Sequence, residues 1–171
     1  MLSIATFNLC NLGADTSPDR LARLGRIIAH DLGGPAILAA QEIMAQTPAQ
    51  ADGEVPADTA YQALIAAICA AGGPRYAFRE IPPLANRDGG MAGANIRTGL
   101  LFDPVQLHFV ERGHAGPEHH TGIRLNCGKP CLTLNPGRIA PTHPAFAGDH
   151  HCHWAPSRKA LAAEFEIEGQ R

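Results

Sequence analysis

A strong charge of either sign is missing from this 171-residue chain. Fourteen Lys and Arg stand against sixteen Asp and Glu, a net charge of −2 with the histidines neutral. Charged residues make up 18% of the chain, somewhat low for a globular domain. No general basic field exists to hold a polyanion, so binding to nucleic acid would have to be local or metal-mediated. Long apolar runs are also missing. None approaches the roughly 18 residues of a membrane span, so no spanning helix is expected. No basic region follows Met1, so no secretion leader is visible and the cytoplasm is the expected compartment. The five cysteines, Cys10, Cys69, Cys127, Cys131 and Cys152, are an odd number. Without a leader they are expected as free thiols. There is no internal repeat and no low-complexity tract.

What is present is ordinary hydrophobic content, 45%, in a chain long enough to bury roughly 70% of its unfolded surface. Glycine and proline are abundant, at 18 and 14 residues. They cluster at 82–94 and 113–156, where loops are expected. Leu2–Leu9 is a short, mostly apolar run of strand length that ends on polar residues. Ser17-Pro18-Asp19 then opens a helix: Ser17 can cap, Pro18 suits the first helical position, and Asp19 complements the helix dipole. Leu21, Leu24, Ile27 and Ile28 fall on one helical face, and Gly33-Gly34 ends it. Ala36–Ala40 is a second buried strand that runs into Gln41-Glu42. Strand, helix and strand in succession predict an α/β layer with the helix outside. A second helix is expected over 58–71, with Tyr61, Leu64, Ile65 and Ile68 as its stripe. Arg75–Ile81 is expected as a strand. Asn95–Phe102 and Val105–Glu111 flank Asp103-Pro104 and read as a hairpin. No period is visible over 113–156, and Arg158–Ile167 alternates as a strand.

Two polar groups, Asn8 and Glu42, stand at the ends of predicted buried strands, where rigid backbone can fix a site. A carboxylate and an amide oxygen are hard ligands suited to Mg²⁺, Mn²⁺ or Ca²⁺. Mg²⁺ commonly takes one or two carboxylates and completes its shell with water and phosphate oxygens. The bland alternative is that Asn8 caps a turn and Glu42 is a solvated strand end, and position alone favours it.

The runs ATFNLCNLG at 5–13 and ILAAQEIM at 37–44 resemble the first two motifs of the endonuclease/exonuclease/phosphatase family. The segment DGGMAGANIRTGLLFDPVQL at 88–107 is similar to the Gly-rich loop and Asn-Ile-Arg strand of its bacterial nuclease-like branch. PGRIAPTHPAF at 136–146 and SRKALAAEFEIEG at 157–169 resemble later segments of that branch. The matches occur in family order over nearly the whole chain, 1–171, with 113–156 as a loop-rich insertion. The resemblance implies an α+β fold, the N-terminal part of a four-layer α/β/β/α sandwich: two packed, mainly antiparallel sheets with outer helices. It implies metal-dependent hydrolysis of phosphodiesters, in nucleic acid or smaller esters, with Mg²⁺ (or Mn²⁺ or Ca²⁺) as cofactor. Glu42 takes the place of the family's metal ligand, and Asn8 supports the metal or the scissile phosphate; both are expected as catalytic. Arg97 is a candidate for phosphate contact, with a structural salt bridge as the even alternative. Asn95, two residues away, can assist it or bond a loop. Arg158 is expected to be structural.

The family's later catalytic groups are a histidine, an Asp-x-Asn motif and a terminal Asp-His pair. Asp-x-Asn is absent, and Asp149-His150 precedes SRKALAAEF where the family's pair comes far later. Removing one general acid or base typically costs about 10²–10⁴-fold in rate. The chain is therefore expected to be an incomplete domain with little activity alone, exposing an apolar sheet face and open edges, with a complementing C-terminal half as its candidate partner. Two rival readings remain. One is a non-catalytic phosphate-binding or nucleic-acid-binding remnant. The other is a zinc module over Cys127, Cys131 and His150–His153, loosely spaced for a structural site.

Overall fold

In the computed structural model, residues 2–46, 53–86, 91–139 and 159–167 are described. Among these residues the chain is mixed α and β, mostly strands with two α-helices and no barrel. Its centre is a four-stranded sheet. β1 (Ile4–Leu12) and β2 (Ile37–Ile43) run parallel, and β4 (Arg97–Phe102) lies antiparallel to β2. β3 (Ala77–Arg79) is the edge beyond β4, giving the order β1-β2-β4-β3.

The crossover between β1 and β2 is helix α1 (Pro18–Arg26). The expected cap is present: Ser17 Oγ accepts from Arg20 N at 3.4 Å, and Pro18 takes the first helical position. One π turn, Ile27–Asp31, extends the helix before Gly33 and Gly34, whose φ angles of 67° and 57° suit a residue without Cβ. Helix α2 (Asp58–Ala70) sits beside α1. Tyr61, Leu64 and Ile68 are fully buried and Ile65 packs against the same core, as the stripe predicts. Gly25 lets the two helices touch, since a Cβ there would overlap the Ala67 carbonyl. The helices cover one sheet face, where Leu9, Leu12, Leu38, Ala40, Ile43 and Leu101 are essentially without exposure. Burial of each large aliphatic chain contributes about 1.5–3 kcal/mol.

The expected hairpin around Asp103-Pro104 does not form. β5 (Leu107–Phe109) leaves the main sheet and pairs instead with β10 (Phe165–Ile167). Asp103 turns the corner: its carboxylate accepts from Val105 N at 2.9 Å and Gln106 Nε2 at 2.7 Å. That local bonding defines a side-chain-stabilised turn, but it does not fix which strand the chain pairs with next. On the sheet's far face Phe102, Phe109 and Phe165 form an aromatic group with centroids 5.1–5.9 Å apart. Arg79 stacks over Phe109 at 4.6 Å.

The stretch expected as loop also contains regular structure. β6 (Ile123–Asn126) and β7 (Lys129–Leu132) form a hairpin. Its two-residue turn has positive φ at both Cys127 (49°) and Gly128 (77°), the geometry that matches strand twist. β8 (Gly137–Arg138) pairs with β9 (Leu161–Ala162). The expected strand over Arg158–Ile167 is thus two short strands, β9 and β10. Glu164, between them, is held by Arg112 at 2.7 and 3.1 Å, and it accepts from Leu132 N at 2.8 Å. Buried Asn135 donates to the Val110 and Glu164 carbonyls and accepts from Glu164 N at 2.9 Å. These long-range side-chain bonds carry no sequence period.

Cys10, Cys69, Cys127 and Cys131 are free thiols, as expected. Among the described residues no helix is long and apolar enough to cross a membrane.

Candidate functional site

The parallel strands β1 and β2 both break register at their C-terminal ends. Asn8 pairs with Gln41 and Leu12 with Ile43, so four steps along β1 match two along β2. On the other side, Ala40 pairs with Gly99 and Ile43 with Arg97, so β2 carries one extra residue against β4. Cys10 (φ 51°), Asn11 (59°) and Glu42 (60°) take left-handed backbone at these bulges. Such conformations are costly for residues other than glycine.

Burial shows what the bulges accomplish. Strict alternation would send Leu9 and Leu12 to opposite faces, and Ala40 and Ile43 likewise. All four are instead buried in the helix-side core. The extra residues reverse the parity, so Leu12 and Ile43 fill the core while Glu42 lies between as a half-buried residue at the sheet end.

Neighbouring groups fasten this end. Asn8 Oδ1 accepts from Cys10 N at 2.8 Å, so the amide does close a turn, as its bland reading had it. Arg20 reaches from α1 and donates through Nη2 to the Leu9 and Cys10 carbonyls. Gln41 Nε2 donates to Thr6 Oγ1 at 2.8 Å, tying β2 to β1. Met44 N bonds the Leu12 carbonyl at 2.8 Å, and Ala45 N bonds the Ala94 carbonyl at 3.0 Å. The ends of β1 and β2 and the run into β4 therefore meet at one place.

Arg97 starts β4 opposite Ile43, but its guanidinium is 2% exposed and committed to structure. Nη1 pairs with Glu80 at 3.3 Å, and Nε and Nη2 donate to the Asn95 carbonyl at 3.1 and 3.0 Å. Of the two readings offered for Arg97, the geometry is that of the salt bridge. Glu80 also accepts from Tyr61 OH at 3.3 Å and Ala57 N at 3.2 Å. Burial pushes the Glu80 carboxyl above its usual range, and the Arg97 charge partly offsets this. Burial, with Glu80 beside it, pushes the Tyr61 phenol well up too. Asn95 is wholly buried with φ 46°. Its side chain accepts from Asn86 N at 2.7 Å and donates to the Gly93 carbonyl at 3.3 Å, so it bonds a loop. Tyr61 and Glu80 escaped the sequence reading. Tyr61 was visible only as a core stripe residue, and nothing local marked Glu80 as Arg97's partner.

A cleft of about 390 Å³ opens beside the bulges, walled by Ala14-Asp15, Met44–Gln46 and Met91–Ala94. A larger groove of about 960 Å³ lies between α2 and the edge strand β3, with Glu80 in its lining. Among the described residues no three His, Cys, Asp or Glu side chains gather as a metal cluster. Glu42 and Asn8 stand toward the ends of β2 and β1, with Asn8 Oδ1 already accepting from Cys10 N. His150–His153 of the zinc reading, and Arg158, lie outside the described residues. No family model, no curated protein and no solved structure matches the chain.

Proposed function

We propose that this chain is a metal-dependent phosphodiester hydrolase domain of the nuclease-like kind, with little activity alone. One observation supports this most. Two adjacent parallel strands both end in bulges with left-handed, non-glycine backbone: Cys10 and Asn11 follow Asn8, and Glu42 is itself left-handed. Strained backbone held in place by surrounding bonds is commonest at functional sites. Open α/β sheets also place ligands beyond the carboxyl ends of parallel strands.

In this reading Glu42 and Asn8 present oxygens to Mg²⁺ or Mn²⁺, and a bound ion would neutralise charge on the phosphoryl oxygens. Arg20 and Gln41 hold the donors at fixed spacing. Arg97 acts through the backbone, by locking Asn95 and the start of β4. Low activity follows from the missing Asp-x-Asn motif, because proton transfer then lacks its usual groups. The finer fold reading is one sheet-and-helix layer of a sandwich. The far face of β1 supports it, since Ile4 there is 67% exposed.

Mn²⁺ titration followed by electron paramagnetic resonance tests the site, with bis(nitrophenyl) phosphate hydrolysis run alongside. The wild-type chain should bind Mn²⁺ and turn over slowly, and Glu42→Gln should lose both. Equal Mn²⁺ affinity in the two proteins would refute the assignment.

A further inference from the structure

The groove between α2 and β3 is walled by two different elements. On one side stand Asp58, Gln62, Ile65, Ala66 and Cys69, a single stripe of α2 at helical spacing beside the buried stripe of Tyr61, Leu64 and Ile68. On the other side residues 75–80 line it without a gap. The face of a strand would contribute every second residue, so the groove meets this strand along its edge. β3 is outermost in the central sheet and pairs with β4 alone among the described residues. We propose that this groove binds an extended peptide segment of another protein, which adds to the β3 edge as a further strand and carries a basic residue at one end and an acidic residue at the other. Neither Glu42 nor Asn8 lines the groove, so peptide binding here is independent of the metal assignment.

Shape, polarity and charge point to that occupant. Residues 75–80 span about 20 Å of strand, and the α2 stripe covers about 17 Å of helix, so the two walls run side by side for the length of a short extended segment. A volume of about 960 Å³ spread over that length leaves a section of about 50 Å², enough for one strand at sheet spacing. A second copy of this chain, whose β3 brings α2 beside it, does not fit that section. The middle of the groove is apolar, with Ile65, Ala66 and Phe78 along it. Ile65 and Phe78 are half-buried, and alternate apolar side chains of an added strand would cover what remains. The two ends differ in charge. Asp58 is exposed at one end, close enough to Glu80 to act on its carboxyl. Glu80 is answered by Arg97, which leaves Asp58 as the exposed anion. Arg75 is exposed at the other end, where Cys69 Sγ reaches the Pro74 carbonyl at 3.7 Å. Backbone hydrogen bonds along an edge supply affinity for any extended chain, and the apolar middle and the oppositely charged ends select the segment.

Fluorescein-labelled heptapeptides with blocked ends, titrated with the full chain at physiological salt and read by anisotropy, test this. Lys-Thr-Val-Thr-Val-Thr-Glu and its reverse, Glu-Thr-Val-Thr-Val-Thr-Lys, carry mixed ends; two controls carry Lys at both ends or Glu at both. One mixed peptide should bind best, and which one it is tells whether the added strand runs antiparallel or parallel to β3. The like-charged controls should bind about three- to fivefold more weakly. Methylating every second backbone nitrogen of the best peptide should abolish binding in one phase and spare it in the other, because only one set of N–H groups faces the edge. Asp58→Lys should turn the preference toward the doubly acidic peptide, a gain that a misfolded variant cannot produce. Bound peptide should also slow maleimide labelling of exposed Cys69 and leave exposed Cys10 and Cys127 at their own rates. Silence of all four peptides at about 1 mM, equal binding of mixed and like-charged peptides, or indifference to both methylation patterns would overturn the proposal. So would a dimer in sedimentation that dissociates in Arg75→Glu, which would assign the edge to a second copy instead.

Discussion

Replacing Arg97 with Met tests whether its charge serves structure or substrate. The side chains of Arg97 and Glu80 are 2% and 6% exposed, so neither can turn to solvent. Arg97→Met removes the pairing with Glu80 and the two donations to the Asn95 carbonyl, while Tyr61 OH and Ala57 N continue to hold the carboxyl. A buried charge left alone this way typically costs about 3–5 kcal/mol, out of a total stability of about 5–15 kcal/mol. With a urea slope of about 2 kcal/mol/M, the midpoint should fall by about 1.5–2.5 M. Glu80→Gln placed on top should recover part of the loss, because the neutral amide needs no cation, giving a coupling of about 0.5–3 kcal/mol. Arg97→Lys should fall between, since an ammonium cannot reproduce the forked grip. Urea denaturation followed by far-UV circular dichroism measures all four proteins. A loss under about 1 kcal/mol in Arg97→Met, or a double variant no better than the single, would refute the reasoning. Unchanged stability with weakened phosphate binding would instead restore Arg97 as a substrate contact.

Further predictions follow from other contacts. Glu80 is held above its usual value, so the folded state binds its proton more tightly than the unfolded chain does. Its contribution should favour folding at low pH and decline as pH rises through the raised value. Glu164 has the opposite sign. The hydrogen bond from Arg112 holds its carboxyl below the usual range, so its contribution is full above the unfolded value and is lost as pH falls. Glu164→Gln should therefore flatten the acid side of the stability profile, and a profile parallel to wild type would contradict this. Gly99→Ala should cost about 1–3 kcal/mol or more, because its Cβ would overlap the Tyr61 phenol and displace it from Glu80; an unchanged urea midpoint would show that the ring can yield. Arg20→Met should release the Leu9 and Cys10 carbonyls, speeding amide exchange at Asn11 and weakening Mn²⁺ binding more than it lowers global stability. Equal losses in both would mean the clamp has no special bearing on the site.

The sequence made the elements with local signals plain. Ser17 and Pro18 announce α1, the stripe of Tyr61, Leu64 and Ile68 announces α2, and β1 and β2 read as buried runs. Strand bounds were less legible for a definite reason. β1 was expected to stop at Leu9 and β2 at Ala40, where the apolar runs meet polar residues; the strands continue to Leu12 and Ile43, where bulges reset the parity. No composition rule marks Cys10, Asn11 or Glu42 as left-handed. Pairing partners were hidden as well. Val105–Glu111 looked like the return arm of a hairpin, yet β5 finds β10 more than fifty residues away, where Phe102, Phe109 and Phe165 pack together and Arg112 and Asn135 bind Glu164. At the candidate site the sequence pointed to Glu42 and Asn8. It left Arg97 between two roles, because its partner Glu80 lies 17 positions away, just past the end of β3.

The fastening of Glu164 also bears on the order in which the chain assembles. Arg112 and Glu164 are 52 positions apart, and Thr98 Oγ1 reaches the Lys159 carbonyl across 61. Closing loops of that length sets a large entropic cost against few bonds, so β9 and β10 should join after the β1-α1-β2 unit, whose contacts are near in sequence. The same imbalance acts in the folded protein. Residues 159–167 are expected to lift away at a free energy below that of global unfolding, baring Phe102 and Phe109 while the helix-side core stays shut; amide exchange there as slow as in α2 would contradict this. Their amides should then exchange through a partial opening of their own, and that brief exposure of aromatic surface is where self-association of this chain would begin.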